Sequence, residues 1–267
     1  MRIAVAQLSP TELISDNLDA LSHWCIQARD QGADLLLTPE MALSDYEAPL
    51  SELSDTAWTL PQAEKLLQVQ ALAQRHQLAL VVGVAEANAD GTFYNTALLI
   101  SAQGQLLQSY RKTHLFGDLD RQRFQAGNQL PEPVCYAGLK MSLAICYDVE
   151  FPELVRWHRQ HHCDLLLVPT ANMYPYLEVA TQMVPTRAME SGVAIAYANF
   201  TGQGRTLHYC GHSCICSADG RRLAWAETDQ ALLIADIDAA SIQTARQHNP
   251  YLQNLRDDLY SGGVLDV

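Results

Sequence analysis

Three short stretches of this chain carry side chains that could do covalent chemistry together. Glu40 lies in Thr38-Pro39-Glu40-Met41, an acid at the end of a leucine run. Lys112 lies in Tyr110-Arg111-Lys112-Thr113-His114-Leu115-Phe116-Gly117-Asp118, where cations precede a glycine turn. Cys146 ends the apolar run Ser142–Ile145 and leads into Tyr147-Asp148-Val149-Glu150-Phe151-Pro152-Glu153, which reads as a helix start. A thiol at a strand-to-helix turn stands on a rigid base, beside backbone N–H groups that can stabilise a thiolate or an oxyanion. A nucleophilic thiol also needs a base, and a carboxylate in a partly apolar site has a raised pKa suited to that task. A nearby lysine adds positive charge that favours a tetrahedral intermediate. Taken singly, each residue has an ordinary reading: a core cysteine, a carboxylate at a helix start, half of a surface ion pair.

The elements that must position these residues alternate between short apolar runs and helical patterns. Strands are expected at Ile3–Ala6, Asp34–Thr38, Leu80–Val84, Thr96–Ile100, Met141–Ile145, Leu165–Val168, Val193–Ala198, His212–Cys216 and Leu232–Asp236. Helical spacing of apolar residues marks Ser15–Asp30, with Ser15 or Asp16 as cap, and Pro61–His76, with proline in the first turn. Pro152–His161 and Leu177–Ser191 read as two more helices. Asp90-Gly91 and Asp219-Gly220 fall between strand-like runs, as hairpin turns do. Several strands are continuously apolar, which implies burial on both faces. Gly32–Glu40 and His162–Thr170 resemble each other, each a helix-to-strand passage; two related halves would deliver Glu40 and Thr170 to one crevice. The alternative is that any α/β fold repeats such passages.

Composition narrows the class further. The 267 residues are 48% hydrophobic and 18% charged, which is globular, and no linker divides them, so residues 1–267 are read as a single domain. Thirty acidic against 17 basic side chains give a net charge of −13 and no basic run, which opposes nucleic acid as a partner. Neither a signal peptide nor a membrane span is legible. Seven cysteines, an odd count, read as reduced thiols of a cytoplasmic protein.

A metal- or thiol-binding module is the rival reading from another class. Cys210, His212, Cys214 and Cys216 would share one face of a strand, but a straight row of about 20 Å cannot surround one ion. His161-His162-Cys163 ends a helix, where histidines meet the dipole favourably. A papain-like hydrolase would need a local signature that the cysteine lacks. A non-catalytic scaffold would have no need of all three reactive positions.

In that order, Pro-Glu at a strand end, Arg-Lys-x-His-Leu, and Ile-Cys-Tyr-Asp-x-x-Phe-Pro-Glu together resemble the nitrilase or carbon–nitrogen hydrolase superfamily. The resemblance runs from Val5-Ala-Gln7 through Gly83, Tyr94-Asn95-Thr96-Ala97 and Gly211-His-Ser213 to the late strand at Leu232–Asp236. It implies an α/β fold built as a four-layer α-β-β-α sandwich. It also implies a Glu–Lys–Cys triad in which Glu40 is general base, Lys112 stabilises the oxyanion and Cys146 is nucleophile, with the Tyr147 N–H joining the oxyanion site. Many members add a second glutamate after the lysine. The matching step here is Gly117-Asp118, one methylene shorter, so Asp118 is the candidate, with Asp120 behind it and an empty fourth position as the remaining alternative. The expected substrate is a small carboxamide, of the kind taken by bacterial aliphatic amidases, hydrolysed through a thioester with release of ammonia. An N-carbamoyl compound or a nitrile would use the same triad. No metal or organic cofactor is implied, and a homodimer or higher homo-oligomer is, with helix Pro152–His161 and Asn249–Tyr260 as candidate contact surfaces. Tyr46, Asn172, Met173 and Tyr174 are the substrate-pocket candidates, and Arg187 is the cation an acidic substrate would require.

Overall fold

The structure is a computed structural model that describes residues 1–10 and 17–259. Its first sheet has six strands: β1 (Arg2–Gln7), β2 (Leu35–Leu37), β3 (Ala79–Ala87), β4 (Phe93–Ile100), β5 (Leu106–Arg111) and, from the end of the chain, β14 (Ala231–Asp236). Their order is β14-β1-β2-β3-β4-β5. The second sheet uses β6 (Val134–Tyr136), β7 (Leu139–Leu143), β8 (Leu165–Pro169), β9 (Ala194–Ala198), β12 (Cys214–Cys216) and β13 (Arg222–Trp225), in the order β13-β12-β9-β8-β7-β6. A two-stranded ribbon, β10 (Thr201–Gln203) and β11 (His208–Cys210), stands apart.

The period-2 alternation of strand side chains dictates the layers. Leu35 and Leu37 point to the same side as Val5 and Val81, and there they meet Leu143, Leu165 and Leu167 of the second sheet. Leu36 and Leu80 point the other way, onto Trp24, Cys25 and Ala28 of α1 (Asn17–Asp30) and Val69 and Leu72 of the later helix Glu64–His76. Leu166, Val168 and Tyr197 likewise leave the second sheet to pack on Leu154 and Val155 of Pro152–Gln160 and Val184 and Ala188 of Val184–Ser191. The result is the expected four-layer α-β-β-α sandwich, and every strand in its middle is buried twice. That double burial explains the unbroken leucine runs.

The two sheets repeat one plan. β1, β2 and β3 are parallel neighbours continued by antiparallel β4, while β7, β8 and β9 are parallel neighbours continued by antiparallel β12. The equivalent strand ends meet: the Glu40 N–H donates to the Thr170 carbonyl at 3.2 Å. Asp90-Gly91 and Asp219-Gly220 turn the β3–β4 and β12–β13 hairpins.

Three expectations need correction. The helix Glu64–His76 starts three residues after Pro61, which lies in a preceding turn. The segment expected as one strand over His212–Cys216 is broken, because Gly211 and His212 take left-handed φ of 68° and 57° and only Cys214–Cys216 pairs. The thiol row is therefore not straight, and among the described residues no cluster of three metal-ligating side chains occurs. Leu177–Ser191 begins with a wide π turn, Val179–Met183, before α-helix resumes at Val184. The proposed caps Ser15 and Asp16 lie outside the described residues.

Candidate active site

Glu40 is delivered by the turn that follows β2. Met41 has a left-handed φ of 50°, and the turn lies flat on β3, where the Leu43 N–H reaches the Gly83 carbonyl at 3.1 Å. Only glycine permits this approach, because a Cβ at position 83 would fall 2.2 Å from the Met41 nitrogen. Lys112 follows β5 directly and is fixed by its own N–H on the Asn95 carbonyl at 2.8 Å. Both side chains are wholly buried.

The two meet in a closed ionic cluster. Lys112 Nζ donates to Glu40 Oε1 at 2.8 Å and to Asp120 Oδ2 at 2.7 Å. Asn95 Nδ2 adds a bond to Glu40 Oε1 at 2.7 Å, whereas Glu40 Oε2 is buried with no hydrogen-bond partner among the described residues. Asp120 is further held by the Phe116 N–H at 2.9 Å and the Tyr46 hydroxyl at 3.0 Å. This corrects the preference for Asp118. On the short helix Gly117–Arg121 Asp118 faces solvent, and Asp120, two positions on, points inward.

Burial and charge push the two carboxyls apart. Burial raises Glu40 above the ordinary glutamate range, with Lys112 pulling back and Asp120 adding to the rise. Burial works against Asp120 too, but the Lys112 ammonium and three hydrogen bonds win and hold it below the ordinary range. Burial would lower the Lys112 ammonium, yet two carboxylates keep it well above its usual value. So Glu40 is a carboxylate with proton affinity to spare, and Asp120 is a permanent counter-ion.

Cys146 comes from the other sheet. It stands at the end of the β7 arm with a left-handed φ of 46°, a strained turn that raises its side chain above the strand end. Asp148 anchors the turn: its carboxylate accepts from the Ile145 N–H (3.0 Å), the Tyr110 hydroxyl (2.8 Å), the Thr113 hydroxyl (3.1 Å) and both the N–H and Nδ1 of His114 (3.0 and 2.8 Å). The cysteine turn is thereby tied to the segment carrying Lys112, with His114 as one of the ties. Burial, then the Glu40 charge, push the Cys146 thiol well above its ordinary value, opposed by Lys112 and a hydrogen bond from the Ala171 backbone. The resting thiol keeps its proton beside a carboxylate able to receive it.

Cys146 opens into a cavity of about 310 Å³ lined by Tyr46, Phe116, Tyr147, Glu150, Ala171, Asn172, Met173 and Tyr176. Of the pocket candidates, Tyr46, Asn172 and Met173 line it. Tyr174 does not: it is 43% exposed, with its ring against His208. Two residues on, Tyr176 takes that place, edge-on to Phe116. Arg187 is turned away, donating to Glu190 (2.9 Å) and to the Glu150 backbone carbonyl (2.6 Å). Asn95, Asp148 and Glu150 were not singled out from sequence, although all three stand inside motifs that were; their signal was proximity to Glu40, Lys112 or Cys146, which spacing alone does not reveal.

Residues 2–247 match the carbon-nitrogen hydrolase family. The chain belongs to that family. It is 42% identical to a protein described as a hydrolase in the pqqF 5′ region of Pseudomonas protegens, over 97% of this chain and 90% of the relative. It is 30% identical to an omega-amidase of Homo sapiens, over 97% and 96% of the two chains. The solved amidase from Nesterenkonia sp. superposes with a TM-score of 0.85 at 31% identity, over 97% of this chain and 95% of that one. Variants of that amidase have been solved with the acetamide moiety of fluoroacetamide attached to the active-site cysteine and with butyramide bound. This carbon–nitrogen hydrolase is thus an enzyme acting on carbon–nitrogen bonds. Among the described residues, no helix is long and apolar enough to cross a membrane.

Proposed function

We propose that this carbon–nitrogen hydrolase cleaves a small carboxamide with Cys146 as nucleophile, Glu40 as general base and acid, and Lys112 as the fixed charge at the oxyanion, joined there by the Tyr147 N–H. The observation that carries the reading is the division of labour at Glu40. One oxygen is held by Lys112 and Asn95, and the other is buried and unpartnered among the described residues, next to a thiol that must lose a proton. Cys146 attacks the amide carbon while Glu40 takes the thiol proton. Glu40 returns that proton to the leaving nitrogen, ammonia departs, and a thioester remains. Water then attacks the thioester as Glu40 takes one of its protons, the carboxylic acid is released, and Glu40 passes that proton to the departing Cys146 sulfur, which restores the carboxylate and the thiol. Asp120 takes the role of the fourth group by holding the Lys112 ammonium in place. The residues present form the whole catalytic set, and no step calls for a metal or cofactor.

Residues 1–267 act in this reading as one domain, in a cytoplasmic homodimer. What supports the dimer is an apolar groove of Tyr251, Leu252, Leu255 and Leu259 beside Arg156 and Glu190, on the two surfaces that the resemblance names; Leu259 is 64% exposed and Tyr251 50%.

The test is ammonia release across small amides, N-carbamoyl compounds and nitriles, with Cys146→Ala alongside. Amide turnover that vanishes in the variant, with its circular dichroism spectrum unchanged, supports the reading. Undiminished activity in Cys146→Ala refutes the mechanism, and activity confined to nitriles refutes the substrate class.

A further inference from the structure

The cavity beside Cys146 has a charge character that the triad does not require. Of the residues lining it, Glu150 is the one that carries a formal charge, and none is lysine, arginine or histidine. The nearest cations are committed elsewhere. Lys112 is wholly buried and shared between two carboxylates, and Arg187 is paired with Glu190 and bonded to the Glu150 backbone. The buried cluster of Glu40, Asp120 and Lys112 itself sums to one negative charge when both acids are ionised. An anionic substrate would therefore enter a negative field with no counter-ion on the walls, at a cost that water no longer screens.

The rest of the wall suits the opposite charge. Tyr46, Phe116, Tyr147 and Tyr176 supply four of the nine lining side chains. Phe116 stands edge-on to both Tyr147, at 5.4 Å between centroids, and Tyr176, at 5.5 Å, so the rings form a folded wall rather than a stack. Ring faces attract cations, and a carboxylate set among such rings completes the kind of cage that holds an ammonium group. Glu150 lies four residues after Cys146 on the same short 3₁₀ turn (Cys146–Glu150), at a fixed offset from the sulfur. Its carboxyl is half-buried, and burial pushes it up to about 7, with Lys112 and Arg187 pulling it down. A bound cation would repay that burial, whereas a neutral ligand leaves it standing.

We propose that the substrate is an amide bearing a cationic amine, an ω-amino carboxamide, recognised by Glu150 and the aromatic wall of the Cys146 cavity. This rests on the amidase reading above and names the substrate class of that site.

The test compares three amides of one shape: 4-aminobutanamide (cationic), pentanamide (neutral) and glutaramate (anionic). The whole enzyme is used, and kcat/KM is read by ammonia release at pH 8. The cationic amide is expected to exceed the neutral one by about tenfold and the anionic one by about a hundredfold, the scale of one partly solvated charge contact. Glu150→Gln should collapse the cationic-to-neutral ratio toward one, whatever it does to the absolute rates. Equal or better turnover of pentanamide, or of glutaramate, by the unaltered enzyme overturns the inference without touching the amidase reading. So does a charge preference that survives in Glu150→Gln. Turnover of none of the three, or turnover that persists in Cys146→Ala, overturns the amidase reading and this inference with it. The series on the unaltered enzyme decides the matter even if the variant fails to fold.

Discussion

Replacing Asp120 with asparagine tests the electrostatic design of the cluster most directly. The change keeps shape and removes one charge. If the bonds from Lys112 Nζ to Glu40 (2.8 Å) and to Asp120 (2.7 Å) leave the ammonium at a tetrahedral angle, the two bonded oxygens stand about 4.5 Å apart. Two unit charges at that distance repel by about 3–4 kcal/mol at an effective dielectric constant of about 20. Asp120 therefore keeps Glu40 basic, and in Asp120→Asn the ammonium turns wholly to Glu40 and weakens it as a base. With about half of the lost basicity felt in the proton-transfer transition state, the barrier rises by about 1.5–2 kcal/mol, or 10- to 30-fold in rate. The sign with pH follows. Glu40 must be ionised to take the thiol proton, and a lower pKa ionises it earlier, so the acid limb of kcat/KM moves to lower pH while the plateau falls. The cluster titrates as a unit, and the profile reports its apparent values. The assay is a pH–rate profile of both enzymes on one neutral amide, with thermal unfolding as a control for the fold. Asp118→Asn, at the exposed position, should superimpose on the parent. A profile for Asp120→Asn that matches the parent, or an equal loss in Asp118→Asn, would refute the reasoning.

Gly83→Ala should cost at least 2–3 kcal/mol of stability and about 100-fold in kcat, because its Cβ would meet the Met41 nitrogen at 2.2 Å and must push the Glu40 turn off β3; chemical denaturation and steady-state kinetics read both. His158 is buried with neither ring nitrogen hydrogen-bonded among the described residues, and burial lowers it from 6.5 to about 4. The fold holds it neutral while the unfolded chain protonates it, so its contribution is complete above pH 6.5 and is lost as pH falls toward 4. That amounts to about 3 kcal/mol by linkage, and urea unfolding of His158→Leu should lack this part of the acid slope. The cationic-to-neutral preference at Glu150 should rise as pH passes about 7, where its carboxyl ionises. The titratable and charged groups facing it are the neutral Cys146 thiol on its own turn, Lys112 after β5, Arg187 with Glu190 on the helix Val184–Ser191, and the neutral Tyr197 hydroxyl on β9. A flat ratio from pH 6 to 8 would contradict that.

The central strands were legible because burial on both faces writes an unbroken apolar run, as at Leu35–Leu37 and Leu165–Pro169. Of the four edge strands, β14 was expected at Leu232–Asp236 and the other three carry no such mark. β5, β6 and β13 are only partly buried, with patterns that mix exposed and covered positions, and none of the three was expected. Asp118 against Asp120 shows a different limit. Both are acids on one five-residue helix, and which of them turns inward depends on where the Phe116–Gly117 turn starts that helix. Sequence spacing does not carry that angle. Tyr174 against Tyr176 fails for the same reason, on a loop whose direction is set by Asn172 Nδ2 donating to the Tyr176 carbonyl.

The buried cluster also limits which group can move a proton. Lys112 is held so far above its usual value that releasing a proton to a leaving amine would strand two wholly buried carboxylates without a cation. Its part in the proposed cycle is thus charge alone. The proton transfers of the cycle then all fall to the one group whose environment raises its affinity without fixing its charge, Glu40 through Oε2. Glu40 comes from the first sheet and Cys146 from the second, so their separation is set by how the sheets pack and by the ties across them, Glu40 to Thr170 and Asp148 to Tyr110 and His114. Cutting one tie, as Tyr110→Phe does at Asp148, should therefore lower kcat more than it raises KM, because it loosens the distance between base and nucleophile while leaving the cavity walls in place.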